Sequence, residues 1–340
     1  MLLNFAIMKN KKETIIRYWL ITGLSIIILM IIIGGITRLT NSGLSMVDWS
    51  VFGELSTKEN IENAYYKWQE SPQGNQMKLT LKEFKSIYFW EYIHRMTGRF
   101  LGFLFIIPFL FFIIKRWIKK QDLYKYYILL ILGGLQGFLG WFMVKSGLTD
   151  IPRVSHFRLA IHLIAALCLS SYILWIILSN KSKRQYDEKI NKAGKIFLSL
   201  IIIQIIYGAF TAGMKAGHIQ DPSSVINTIF GYFNTKNFEN LDILNNPFNV
   251  QLFHRYFAWI ILIYCIYLWK ITKKTPFKKA GIIIMSTTTS QIILGVLTLI
   301  TKINIQLAVA HQLTAVIILF STIYLIYKSS DPNPSIETKK

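Results

Sequence analysis

Cysteine is almost missing from this chain. Two occur in 340 residues, Cys168 and Cys265, and both fall in long apolar runs rather than in the polar segments between them. Disulfides belong to exposed segments in an oxidising compartment. Loop disulfides and loop-thiol chemistry are therefore excluded, and the two read as small buried apolar residues. Acidic residues are also few: 17 Asp and Glu against 38 Lys and Arg give a net charge of +21. Such a basic excess can serve nucleic acid binding, but its placement excludes that use. Lys9, Lys11, Lys12 and Arg17 precede the first apolar run. Lys115, Arg116, Lys119, Lys120 and Lys125 fill the second connection, Lys181, Lys183, Arg184, Lys189 and Lys192 the fourth, and Lys270, Lys273, Lys274, Lys278 and Lys279 the sixth. The seventh holds only Lys302. Basic clusters on alternate connections are the positive-inside pattern of a membrane protein. They predict that both termini are cytoplasmic and that segments 39–87 and 214–250 face outward. A basic–apolar–small cleavage pattern is missing too, so the first run is expected to stay as a helix. The N-terminal stretch lacks the Arg/Ser-rich character of a mitochondrial presequence, which points to a bacterial cell (inner) membrane.

What the chain has is apolar length. It is 53% hydrophobic with a mean hydropathy of +0.40, and crossing a bilayer takes about 20 residues. Eight stretches approach or exceed that: 18–37, 88–114, 126–144, 159–179, 195–213, 251–271, 280–301 and 304–327. The expected fold is an all-α polytopic membrane protein of eight transmembrane helices, with lipid as its surroundings.

Internal similarity divides the chain in two. The second run carries "IHRM" (93–96) and the sixth "FHRY" (253–256). The fourth begins "RLAIHL" (158–163), and the eighth begins "QLAVAHQ" (306–312). The third holds "QGFLG" (136–140) and the seventh "QIILG" (291–295). These pairs predict two pseudo-repeated four-helix bundles, 16–180 and 194–328, joined by the basic stretch "NKSKRQYDEKINKAGK". With an even number of spans in each, the halves are parallel repeats. Ser56 with Glu59 and Thr80 with Glu83 both fit the capping box that opens a helix. The second predicts that the second membrane helix starts near residue 81, outside the bilayer. The Gly/Ser-rich exit "GGITRLTNSGLSMVDWS" (34–50) suits either a loop folded over a pocket or an ordinary connection.

Of six histidines, His156 and His218 fall in outward segments and are expected to be solvated. His94, His162, His254 and His311 each lie one to two turns inside a predicted span, all toward the outer face. Ionisable groups inside a membrane are costly and mark function. Paired imidazoles suit a directly held metal or a haem. A structural zinc wants four closed ligands, often thiolates, whereas haem brings its own equatorial nitrogens and needs only axial ligands from protein. Haem fits two histidines per half better. Arg95, Arg99, Arg158 and Arg255 flank the histidines and match haem propionates in charge, although snorkelling to the interface is the competing use. The halves differ at one telling position. Glu91 stands three residues before His94, on the same helix face, and Gln251 stands three before His254. A carboxylate in an apolar site can act as a base or stabilise a cation; a salt bridge to Arg95 is its plain structural use. This contrast places chemistry in the first half, and electron transfer or support in the second.

Taken in order, "GGITRLTNSGLSMVDW" (34–49), "TLKEFKSIYFWEYIHRMTGRFLG" (80–102), "RVSHFRLAIHL" (153–163), "TAGMKAG" (211–217), "NPFNVQLFHR" (246–255), "LGVLTLI" (294–300) and "AVAHQ" (308–312) make the chain resemble haem A synthases over nearly its whole length. The resemblance implies an enzyme that oxidises a methyl group of haem O to a formyl group, giving haem A for terminal oxidase assembly. It implies that His94 and His162 flank the substrate haem O, that His254 and His311 ligate a haem b, and that Glu91 is the functional glutamate. It implies an electron acceptor, not named by the sequence, and haem O synthase as an expected partner; homo-oligomerisation stays open. Some members carry cysteine pairs in outward loops, and this chain is similar to the cysteine-free type of mitochondria and several bacteria. The segment after "TAGMKAG" departs from the family pattern. Two alternatives share some of these features: a di-haem b-type quinol oxidoreductase, which does not need the Glu91/Gln251 contrast, and a transporter with parallel repeats, which would carry broken helices or midplane charges.

Overall fold

A computed structural model describes residues 2–48, 58–148, 153–179, 184–219 and 242–331. Ten α-helices run through them: α1 Leu2–Leu39, α2 Lys58–Gln69, α3 Pro72–Met77, α4 Leu81–Ile114, α5 Leu123–Lys145, α6 His156–Ser179, α7 Glu188–Gly213, α8 Pro247–Thr272, α9 Lys278–Ile300 and α10 Ile305–Ser329. No strand occurs among the described residues. Eight of these helices, all but α2 and α3, are long and apolar enough to cross a membrane. The chain is an all-helical multi-pass membrane protein. It divides into two compact units, Met1–Ile173 and Leu174–Lys340.

Local chemistry sets the helix ends. The Thr80 hydroxyl accepts from the Glu83 backbone N–H, and the Glu83 carboxylate accepts from the Thr80 N–H at 2.9 Å. This reciprocal capping box opens α4 at Leu81, as the sequence predicts. At 1.5 Å per residue, Glu91 and His94 then lie roughly 15 and 20 Å along the helix. Ser56 lies outside the described residues. Asn246 and Asn304 cap α8 and α10, each side-chain oxygen accepting two backbone N–H groups.

Several helices end in the left-handed conformation. Asn41, Lys215 and Lys302 have φ of 58°, 55° and 54°. Beyond α1, the Ser42 N–H reaches the Thr37 carbonyl and the Asn41 N–H reaches that of Arg38. Beyond α9, Ile303 bonds back to Thr298 and Lys302 to Leu299. Both are the paired reverse bonds that satisfy the last carbonyls of a helix.

In the first unit, α2 and α3 build a cap on the N-terminal part of α4. Trp68, Phe84, Ile87 and Tyr88 are buried there with Met46 from the exit of α1. The Trp68 indole donates to Gln73 Oε1, and Gln73 Nε2 donates to the Asn41 carbonyl. The capping helices are thus tied to the turn that ends α1. In the second unit, a buried cluster runs along α7, α8, α9 and α10 and includes Phe197, Ile261, Leu268, Ile284 and Leu325. Cys265 is buried in it, but Cys168 is exposed on α6. The expectation that both cysteines are buried therefore fails for Cys168. Tails of lipid are as apolar as a protein core, so a membrane helix need not hide such a residue.

Candidate functional site

The four intramembrane histidines share one steric device. Each faces a glycine on the neighbouring helix, and a Cβ added to that glycine would strike the imidazole Cε1. The separations would be 3.2 Å for Gly34 of α1 and His94 of α4, and 3.1 Å for Gly140 of α5 and His162 of α6. They would be 3.1 Å for Gly208 of α7 and His254 of α8, and 2.9 Å for Gly295 of α9 and His311 of α10. The ring edge lies against bare backbone in every case. Close approach through small residues is the usual way membrane helices pack; here it seats a polar ring.

The same register repeats in sequence. Four residues before the glycine stands Gln136, Gln204, Gln291 or, in α1, Met30; four residues after the histidine stands Gly98, Ala166, Ala258 or Ala315. The repeating unit is therefore a helix pair, present four times, and finer than a four-helix half. Sequence reasoning found this register at 136–140 and 291–295 and missed "MIIIG" (30–34) and "QIIYG" (204–208). The histidine paired with each glycine was the signal that could have found them.

The glutamines reach the histidines. Gln136 Nε2 donates to the His162 carbonyl at 3.2 Å and lies 3.4 Å from His162 Nε2. Gln204 Nε2 donates to the His254 carbonyl at 2.8 Å. Gln291 Nε2 lies 3.3 Å from His311 Nε2, while His311 Nδ1 meets the Gln291 carbonyl at 3.0 Å. A carbonyl only accepts, so Nδ1 carries the proton and Nε2 keeps its lone pair. That is the tautomer a metal needs, fixed as the outer partners of metal-bound histidines fix it. The Nδ1 atoms of His94, His162 and His254 are buried without a hydrogen-bond partner among the described residues.

The rings of His254 and His311 have centroids 6.4 Å apart and planes at 76°. Metal–imidazole bonds of about 2 Å on each side, added to the ring radii, fill that gap with a single atom. Among the described residues, no group of three or more His, Cys, Asp and Glu could cage a metal ion. Two lone imidazoles suit an iron that brings its other nitrogens with it, and the residues present fit a haem.

Glu91 is 2% exposed and serves only as an acceptor. Its Oε2 takes hydrogen bonds from the Ser45 N–H at 2.6 Å, the Ser45 hydroxyl at 2.7 Å and the Met46 N–H at 3.0 Å. Its Oε1 pairs with Arg95 Nη2. Arg95 Nη2 also donates to the Met46 carbonyl at 3.0 Å. The salt bridge is made, and the carboxylate in addition holds the exit of α1 down on α4. These bonds hold Ser45 and Met46 against α4. Gln251, at the matching place in α8, is 3% exposed, and neither end of its amide finds a partner among the described residues.

The remaining predicted residues sit as follows. Arg99 donates to the Met96 sulfur at 3.2 Å. Arg158 donates to the Phe142 carbonyl at 3.0 Å and lies 3.9 Å over the Phe142 ring. Arg255 is half-buried beside His254. His156 opens α6 and packs on Phe157; His218 is exposed. The segment that departs from the family pattern lies outside the described residues after Ile219.

Eight helices able to cross a membrane, four of them carrying a part-buried imidazole seated on a facing glycine, define the class: a polytopic membrane protein whose histidines fit haem-like groups. Residues 17–323 match the family of cytochrome oxidase assembly proteins, COX15-CtaA. The chain belongs to that family. It is 38% identical over 346 residues to a heme A synthase of Flavobacterium psychrophilum, covering 95% of this chain and 100% of the relative. It is 37% identical over 328 residues to a heme A synthase of Pelagibacter ubique, covering 93% and 97%. With a heme A synthase of Rickettsia felis it shares 36% over 339 residues, covering 94% and 100%.

Proposed function

We propose that this chain is a haem A synthase, an oxidoreductase acting on a C–H group: it converts a methyl group of haem O to the formyl group of haem A. One observation carries the proposal. Like seats are provided for histidines in both units, yet only the first has a carboxylate one turn before its histidine, Glu91 against Gln251. Two units that only carried electrons would need no such difference.

In this proposal His94 and His162 hold the substrate, haem O. His254 and His311 hold a resident haem b, which would supply one-electron chemistry. Arg99, Arg158 and Arg255 balance propionate charge, while Arg95 balances Glu91. The overall change takes two electron pairs and accompanying protons from the methyl carbon and adds one oxygen, supplied by water. Protons must leave, and Glu91 is the acceptor at hand. Backbone N–H groups cannot turn away, but the Ser45 hydroxyl can. A proton arriving at Glu91 Oε2 is accommodated when Ser45 Oγ rotates from donor to acceptor, while the backbone and Arg95 contacts keep the carboxyl in place. The enzyme would work in the bacterial inner membrane, beside haem O synthase and an electron acceptor.

The test is coexpression with haem O synthase in cells that make no haem A, followed by chromatography of the extracted haems. Haem A is the expected product. Haem O alone, from a folded protein that retains haem b, would overturn the proposal.

A further inference from the structure

The four helix pairs share a register, and one of them breaks it. Where α5, α7 and α9 place a glutamine four residues before the seating glycine, α1 places Met30. The steric part of the seat is intact there, with Gly34 against His94 as in the other pairs. Met30 also points to the same stretch of the partner helix: its methyl carbon lies 3.4 Å from where a Cβ would stand on Gly98, one turn past His94. The glutamines of the other pairs use that place to donate to the histidine's carbonyl or to approach its ring. A thioether has no hydrogen to donate. His94 therefore has the glycine seat without the amide that ties the other histidines to the facing helix.

We propose that Met30 is a positioning residue that leaves His94 the more loosely held imidazole, so that the first unit binds and releases its haem while the second keeps its own. This rests on the haem-binding reading given above. Gln136 and Gln204 hold the main-chain carbonyl of the turn that carries the ring rather than the ring itself, and outer partners of a metal ligand typically change metal affinity by roughly tenfold or more. An enzyme whose substrate and product are both haems must exchange them at one site. The repeat counterpart of Met30 is Gln204, since α1 and α7 each open a unit. The register therefore predicts that exchanging these two residue types exchanges the behaviour of the two sites.

The experiment uses the purified full-length protein loaded in cells with haem O and haem b. Excess haem-scavenging apoprotein is added, and the haem left on the protein is followed over time by absorbance and by chromatography, which separates haem O and haem A from haem b. In the wild type, haem O and haem A are expected to leave at least tenfold faster than haem b. Met30→Gln is expected to slow their loss roughly tenfold, and Met30→Leu, apolar and similar in size, to match the wild type. Gln204→Met is expected to speed the loss of haem b by a similar factor, which keeps the test decisive if Met30→Gln does not fold. Unchanged haem loss in both Met30→Gln and Gln204→Met, with haem bound in each, would overturn this proposal alone. A folded wild type with no haem absorbance would overturn the reading of the site and this proposal with it.

Discussion

Glu91 shows how much a single side chain can hold. It joins α4 to the exit of α1 through two backbone N–H groups and a hydroxyl, and it neutralises Arg95. Removing one partner of a buried ion pair costs about 3–5 kcal/mol. Glu91→Gln presents an amide N–H₂ to donors on one side or the other and should lower thermal stability in detergent by an amount in that range. Glu91→Ala should retain haem b, because the second unit's histidines are untouched, and lose conversion of haem O. Full conversion by Glu91→Ala, measured by haem chromatography, would remove Glu91 from the mechanism. At the glycine seats the decisive quantity is space. A Cβ at position 295 would stand 2.9 Å from His311 Cε1, so Gly295→Ala must push the ring away. The variant should fold, since alanine suits a helix better than glycine, and should purify with haem b reduced several-fold. Normal haem b content in that variant would show that the ring has room to spare.

Among the helices, α4 carries the most conflicting demands. It contains Pro108, which supplies no N–H to the carbonyl of Leu104 one turn earlier. Trp19 of α1 fills that role: its indole N–H donates to the Leu104 carbonyl at 2.8 Å. The same indole stacks on Phe105 and meets Phe112 edge-on, with centroids 5.0 and 5.3 Å apart. Proline in α4 and tryptophan in α1 are thus one structural unit, and neither explains itself alone. Trp19→Phe keeps the aromatic packing and orphans the carbonyl. It should cost about 1–3 kcal/mol, seen as a lower melting temperature in detergent, and restoring the missing donor with Pro108→Ala in the same chain should recover most of the loss. A double variant no more stable than Trp19→Phe would show that the indole acts through packing instead. Part of this element was legible in sequence. Thr80 and Glu83 gave the start of α4 because a capping box is a contact within one turn. The Trp19–Leu104 bond was not, because it links positions 85 residues apart.

For the molecule as a whole, charge placement makes the prediction. The basic connections and the positive-inside rule put the N-terminus, the stretch around 184 and the C-terminus on the cytoplasmic side. A phosphatase reporter that works only outside the cytoplasm should be inactive when fused after Ser329 and active when fused within 242–246. The opposite pattern would invert the topology and, with it, the side of the membrane that the histidines face.

Composition and periodicity by themselves determined the membrane class and the eight spans, and they singled out two repeats and six candidate residues: Glu91, Gln251 and the four histidines. These are consequences of solvent and of spacing along the chain. Lipid demands about 20 apolar residues per crossing, and polar residues stand out against such a background. The resemblance to haem A synthases followed from motifs that are each one contiguous stretch within or at the end of a single helix. Only the tertiary structure decided what those residues touch. It set Glu91 against Ser45 and Met46, seated each imidazole on a glycine of the facing helix, and refined two repeats into four helix pairs. It also brought Met30 into line with Gln136, Gln204 and Gln291. A contact between helices depends on their rotation and depth relative to each other, and one-dimensional spacing carries no measure of either.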